Sequence, residues 1–213
     1  MPAAKPEPHK RSALDYFPPK LDYRSLAAAA DGCKGCDIYL NATQAVFGEG
    51  VLHAPVMFVG EQPGDEEDLK GHPFVGPAGR LFDKALAEAG INRSQTYVTN
   101  AVKHFKWKPA GKRRLHERPK ASEVAACRPW LEVEIEIVKP NILVFLGATA
   151  AQSLLGSAFR VTHMRGEWLD SEIAANVLAT VHPSSVLRAP DPMAREQQYR
   201  DFVSDLLVVS DKL

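Results

Sequence analysis

The chain has 213 residues, with 26 Lys and Arg against 26 Asp and Glu, and three cysteines. About 200 residues bury one substantial core and are thin for two; the zero net charge excludes binding of nucleic acid by a uniformly basic surface, and three cysteines exclude a disulfide framework. No stretch approaches the roughly 18 consecutive apolar residues of a membrane span, and the N-terminus lacks the apolar core of a secretory signal, so a cytoplasmic protein with no membrane partner is expected.

Residues 1–30, with Pro2, Pro6, Pro8, Pro18 and Pro19, read as an extended arm followed by a short Ala-rich helix from Ser25 to Ala30. The remainder, 31–213, reads as one domain. Four short apolar runs have the look of buried strands: Pro55 to Val59, Thr96 to Thr99, Asn141 to Leu146 and Asn176 to Val181. Between them, apolar residues at helical spacing predict helices from Pro77 to Ala89, stopped at Gly90, and from Ser122 to Val138, stopped before Pro140. A further helix runs from Ala148 to Leu155, and the last from Met193 to Val209. Strands and helices in alternation with short connections predict an α/β fold, a central four-stranded parallel sheet flanked by helices.

In open α/β sheets, ligands bind beyond the carboxyl ends of the strands. The segments that follow the four strands are Gly60-Glu-Gln-Pro-Gly64, Asn100, Gly147-Ala-Thr149 and His182-Pro-Ser-Ser185. Turn chemistry accounts for the Gly and Pro. It does not account for Glu61, Asn100 and His182 converging on one rim.

The zero charge conceals an asymmetry. Lys103 to Lys120 holds eight basic residues and one acid, a net +7 that leaves −7 elsewhere. Phe105, Trp107, two Pro and two His are mixed into it, a composition suited to phosphate contacts with interleaved aromatic surfaces. Cys33-Lys-Gly-Cys36 can close two thiolates on one metal or cluster iron, and Cys127 is the only other cysteine. His104, 23 residues before Cys127, is the candidate fourth ligand, with His53, His72 and His163 left open by counting. Without a ligand, the same residues would be a surface CxxC and a core cysteine.

Gly60-Glu-Gln-Pro-Gly64, Gly71-His-Pro-Phe-Val-Gly-Pro-Ala-Gly79, Thr99-Asn100-Ala-Val-Lys103 and His182-Pro-Ser-Ser-Val-Leu-Arg188 resemble, in order, the motifs of the family-four uracil-DNA glycosylases, which carry an iron-sulfur cluster. The resemblance runs from about Asp31 to the C-terminus. Two departures narrow it: Gln62 stands where the first motif usually has Ala, and His104 stands where the third cluster cysteine is expected. With the basic insertion Gly111-Lys-Arg-Arg-Leu-His116, this set is similar to the X-type branch, whose members stay covalently attached to the DNA they act on. The attachment point of that branch corresponds to His116.

The resemblance implies a [4Fe-4S] cluster on Cys33, Cys36, His104 and Cys127, and uracil-containing DNA, single-stranded or double-stranded, as the partner of a monomer. It places Phe74 against the flipped base, and Gly60, Ser184 and Arg188 at the substrate. The residue types suit the chemistry. Asn100 offers a donor and an acceptor to the uracil edge, and His182 can donate to the carbonyl where negative charge develops. Glu61 can face the sugar cation or orient His116. Gln62 cannot act as a base, so a neutral His116 imidazole can attack the anomeric carbon and leave a stable N-linked product. Lys112, Arg113 and Arg114 would approach phosphates. Two other readings use the same residues: a hydrolytic uracil-DNA glycosylase in which His116 is a bystander, and a metal-bearing DNA-binding module without chemistry.

Overall fold

The computed structural model describes residues 11–213. Pro2, Pro6 and Pro8 of the expected arm therefore lie outside the described residues. Among the described residues, the eight strands are β1 (Glu49–Gly50), β2 (Val56–Gly60), β3 (Thr96–Asn100), β4 (Trp107–Ala110), β5 (Arg113–His116), β6 (Ile142–Leu146), β7 (Trp168–Leu169) and β8 (Asn176–Thr180). The α-helices of the described residues are α1 (Tyr23–Asp31), α2 (Asp65–Lys70), α3 (Pro77–Glu88), α4 (Ala121–Val138), α5 (Ala148–Leu155), α6 (Val161–Met164), α7 (Pro183–Leu187) and α8 (Pro192–Ser210).

The main sheet has the order β1-β3-β2-β6-β8-β7. Its central four strands are parallel, in the registers Gly60↔Asn100, Val56↔Ile142 and Leu146↔Thr180, so all four end at one rim. These are the four apolar runs of the sequence. The sheet has six strands, not four, because β1 and β7 pair antiparallel at the two edges. Each contributes two residues, too few to show any period-2 pattern.

Side chains alternate across the sheet. Val56 and Phe58 point to a cluster with Phe82 and Leu86 of α3 and with Phe202 and Leu206 of α8. Met57 and Val59 point to the opposite cluster, with Leu131 of α4 and Ala150 and Ala151 of α5. Helices therefore cover both faces, which is why the strands are apolar throughout. Helix α3 stops where expected, with Gly90 in the left-handed region at φ 75°.

A third cluster joins the N-terminal segment to α4: Ala13, Leu26, Ala30 and Cys33 pack with Phe47, Cys127 and Trp130. Residues from Ala13 onward are thus part of the packed body. Among the described residues, no helix is long and apolar enough to cross a membrane.

The basic insertion is a two-stranded antiparallel hairpin, β4 against β5, with Trp107 opposite His116 and Ala110 opposite Arg113. Gly111 and Lys112 make its turn. The acidic run from Asp65 to Asp68 is helical. It opens α2, and Glu67 and Asp68 are buried.

Candidate active site

The segments that follow β2, β3, β6 and β8, together with the end of β5, line one cavity of about 710 Å³. Glu61, Gln62, Phe74, Asn100, His116 and His182 all contribute to its wall. Glu61, Asn100 and His182, far apart in sequence, do meet at this rim. His116, which the resemblance implies at the site, lines the same cavity.

Gly60 ends β2 beside Asn100, the last residue of β3. A Cβ on Gly60 would stand 2.3 Å from Asn100 Oδ1 and 2.9 Å from the Phe74 ring, so only glycine leaves room for both. Phe74 has φ 59°, an uncommon conformation for an aromatic residue and one that marks functional sites. Its ring packs on Phe82 at 5.3 Å between centroids and lies nearly parallel to His182 at 6.4 Å. Glu67 braces this wall, accepting from the Gly64 N–H at 3.1 Å and the Gly76 N–H at 2.8 Å.

His182 is the N-cap of α7. The Ser184 N–H donates to its Nδ1 at 3.1 Å, and the Ser184 hydroxyl is 2.8 Å from the same nitrogen. A backbone N–H can only donate, so the proton of the neutral ring sits on Nε2. Burial lowers the His182 pKa to about 4; the Glu61 charge opposes this, while Arg188 and His116 add to it. His182 is therefore a neutral donor at neutral pH.

Glu61 Oε1 lies 3.2 Å from His116 Nε2. Burial pushes the Glu61 carboxyl upward, but hydrogen bonding with His116 and Thr149, and the electrostatic pull of the His116 and His182 rings, outweigh it and leave the pKa lowered. Arg118 Nε donates to Thr149 Oγ1 at 3.0 Å, so the Thr149 hydroxyl has its own proton to give to Glu61. Glu61 is an ionised acceptor aimed at His116.

The hairpin that presents His116 is anchored at its base and along its length. Gln62 Nε2 donates to the carbonyls of Lys106 at 3.1 Å and Glu117 at 3.2 Å, and Gln62 Oε1 accepts from the Lys106 N–H at 3.2 Å. These are the residues flanking β4 and β5, so Gln62 holds the hairpin closed. Arg114 pairs with Asp65 at 2.5 Å and with buried Asp68 at 2.6 Å, and its guanidinium lies over the rings of Phe105 and Trp107.

This arrangement redistributes the expected phosphate contacts. Arg114 is turned onto α2 and is engaged there. Lys103 is wholly buried against Glu134, Lys106 pairs with Glu123 at 2.9 Å, and Phe105 is buried beneath the hairpin. Lys108, Lys112, Arg113 and Lys120 are exposed and make no ion pair among the described residues. Arg188 is exposed at the cavity mouth.

The three cysteines lie where the N-terminal segment packs on α4. Cys33 and Cys127 are buried, and Cys36 packs against the same cluster. N–H groups are directed at sulfur: Trp130 Nε1 and the Gly35 amide at Cys33, at 3.4 and 3.5 Å, and the Lys103 amide at Cys127, at 3.3 Å. Burial pushes the Cys127 thiol up to about 12, opposed by the charge and N–H of Lys103 and reinforced by Cys36 and Cys33. His104, which follows Lys103, is buried; burial holds its pKa down at about 4 against the pull of Asp68 and Asp31. Among the described residues, no three His, Cys, Asp or Glu side chains are gathered closely enough to hold an ion. The donor set itself suits a thiolate-bound centre, since N–H groups aimed at sulfur and a neutral imidazole are what such a centre uses.

Sequence reasoning missed Glu67, Asp68 and Arg118 as parts of the site, and placed Thr149 on the rim without a role. For the first two there was a signal: four acids directly after Gly64 mark a helix start, with Glu67 at the third helical position, where its carboxylate can accept from the N-cap N–H. Arg118 carries no comparable pattern.

Residues 47–207 match the uracil DNA glycosylase superfamily. The chain is 42% identical over 157 residues to a type-4 uracil-DNA glycosylase of Thermotoga maritima, covering 73% of this chain and 78% of that protein. It is 37% identical over 177 residues to a type-4 uracil-DNA glycosylase of Archaeoglobus fulgidus, covering 80% of this chain and 84% of that one. A type-5 uracil-DNA glycosylase of Pyrobaculum aerophilum is 32% identical over 153 residues, 63% of each chain. With the rim of four parallel strands and its cavity, these matches show that the chain belongs to the uracil-DNA glycosylase superfamily.

Proposed function

We propose that this protein excises uracil from DNA and then captures the abasic sugar on His116 in a single turnover, as the X-type branch does. The observation that carries this reading is the His116 to Glu61 pair at 3.2 Å, on the wall of the cavity that Asn100, Phe74 and His182 also line. The names of the type-4 relatives support uracil in DNA as the substrate.

The uracil nucleotide leaves the stack and enters the cavity. Its ring lies on Phe74, and the Asn100 amide pairs with its edge, while Gly60 keeps the floor open. As the N-glycosidic bond breaks, its electron pair goes to the base, and the His182 Nε2–H donates to the carbonyl where that negative charge collects. The sugar is left as a cation near the Glu61 carboxylate. A lone pair of the His116 imidazole then forms a bond to the anomeric carbon, and the ring N–H proton of the resulting imidazolium passes to Glu61. The product is a neutral N-linked imidazole, a poor leaving group, so the reaction stops. Gln62 is a positioning residue for His116 in this scheme, and Lys112 and Arg113 at the hairpin tip approach phosphates.

A [4Fe-4S] cluster on Cys33, Cys36, His104 and Cys127 would tie the N-terminal loop to α4 as structural support. Its support is the shared sulfur corner and the N–H groups aimed at Cys33 and Cys127.

The test is a denaturing gel of protein mixed with a uracil-containing oligonucleotide. Wild type should give a shifted band at about one oligonucleotide per chain. His116→Ala should give no such band while still releasing uracil, since Asn100, Phe74 and His182 remain. Repeated turnover by wild type with no shifted band would replace this reading with hydrolysis.

A further inference from the structure

Behind the cavity wall lies a buried ion pair that the reaction above does not use. Lys103 and Glu134 are both 1% exposed and in direct contact. The three N–H bonds of the Lys103 ammonium find three acceptors: a Glu134 oxygen, Thr99 Oγ1 at 2.7 Å and the Asn100 carbonyl at 2.7 Å. Because Thr99 accepts from Lys103, its hydroxyl proton is directed at Glu134, whose two oxygens are each 3.0 Å away. Glu134 also accepts from the Gly48 amide and the Tyr97 hydroxyl, each at 2.9 Å.

A buried ion pair is a poor way to stabilise a core, since apolar residues of similar volume are often at least as stabilising. What this pair does, and an apolar pair cannot, is hold one particular carbonyl. Asn100 is the last residue of β3, and its carbonyl is gripped by an ammonium that α4 holds through Glu134. We propose that Lys103, held by Glu134 and Thr99, is a positioning residue for Asn100 and so sets the rate and base selectivity of excision. This rests on reading Asn100 as the residue that pairs with the uracil edge.

The experiment measures single-turnover uracil release over a range of protein concentrations, with a thymine-containing strand in parallel and an unfolding temperature for each variant. Glu134→Gln and Thr99→Val loosen the ammonium. Each should slow the maximal rate by about tenfold or more and narrow the preference for uracil over thymine, with the half-saturating concentration changed by less than about twofold. Tyr97→Phe removes a hydrogen bond from the same carboxylate without touching Lys103, and should keep the wild-type rate even where it lowers the unfolding temperature. If Thr99→Val and Glu134→Gln fold and release uracil at the wild-type rate and selectivity, the proposal is wrong. Equal slowing by Tyr97→Phe and Thr99→Val would also overturn it, because general loosening would then explain the loss. Should Glu134→Gln fail to fold, the pair Thr99→Val and Tyr97→Phe still decides. Asn100→Ala separates the layers: if it changes neither rate nor selectivity, the pocket reading falls and takes this inference with it, whereas if Asn100→Ala alone is impaired, only the inference falls.

Discussion

Gln62→Ala tests the idea that capture depends on a clamped hairpin. The substitution removes three hydrogen bonds, two to Lys106 and one to Glu117, which flank β4 and β5. At about 0.5–1.5 kcal/mol each they contribute about 1.5–4.5 kcal/mol to holding the hairpin closed. Water entering the vacated space offsets part of this, so the lower end applies, near the 1.4 kcal/mol that corresponds to about tenfold in population. The Glu117 N–H bond to the Lys106 carbonyl at 2.9 Å and the Arg114 pairs remain, so the hairpin loosens and does not unfold. Covalent capture, followed on a denaturing gel, should slow about tenfold. Uracil release should slow much less, because Asn100, Phe74 and His182 stand on other segments. Capture at the wild-type rate would refute the clamp. Equal loss of release and capture would show that Gln62 serves the glycosidic step itself.

Asn100→Ala should cost about 1–3 kcal/mol per lost buried hydrogen bond to the base, read as a lower rate of uracil release. Arg114→Met should leave Asp65 and buried Asp68 without their cation, lowering the unfolding temperature and impairing capture; a variant with neither effect would show the clamp on α2 to be idle. His182 gives a pH signature. Its pKa is about 4 when folded and near 6.5 in the unfolded chain, so the unfolded state binds the proton first as pH falls; the stability is complete above 6.5 and lost towards 4, by about 3 kcal/mol. Wild type should lose unfolding temperature across that window more steeply than His182→Asn, and identical slopes would contradict the half-buried neutral imidazole. Protein purified without air should carry about four irons per chain, and Cys33→Ala should lose both iron and stability; one zinc in place of iron would remove the cluster.

Much of the fold was legible because long apolar runs and helical periodicity are local patterns. Val56 to Gly60, Thr96 to Asn100, Ile142 to Leu146 and Asn176 to Thr180 are strands within a residue or so of where the sequence puts them, and α3, α4, α5 and α8 are equally close. The edge strands β1 and β7 and the four-residue α6 are too short to carry a period. The hairpin was hidden for another reason: in a stretch dense with Lys and Arg, charge overrides the alternation by which strands are recognised.

What the sequence determined by itself is the order of the elements, the four parallel strands and hence the rim on which Glu61, Asn100 and His182 had to fall, because strand direction and loop position follow from connectivity alone. What only the tertiary structure decided is which charges are available. Lys103, Lys106, Arg114, Glu67 and Asp68 look like solvated charges in the sequence, yet each finds a partner from another segment and leaves solvent wholly or in part. The sequence reading left Glu61 to face the sugar cation or to orient His116, 55 residues away, and the fold sets those two side chains 3.2 Å apart. A charge buried with a partner and a charge in water are the same letter, and the difference between them lies in what the rest of the chain brings alongside.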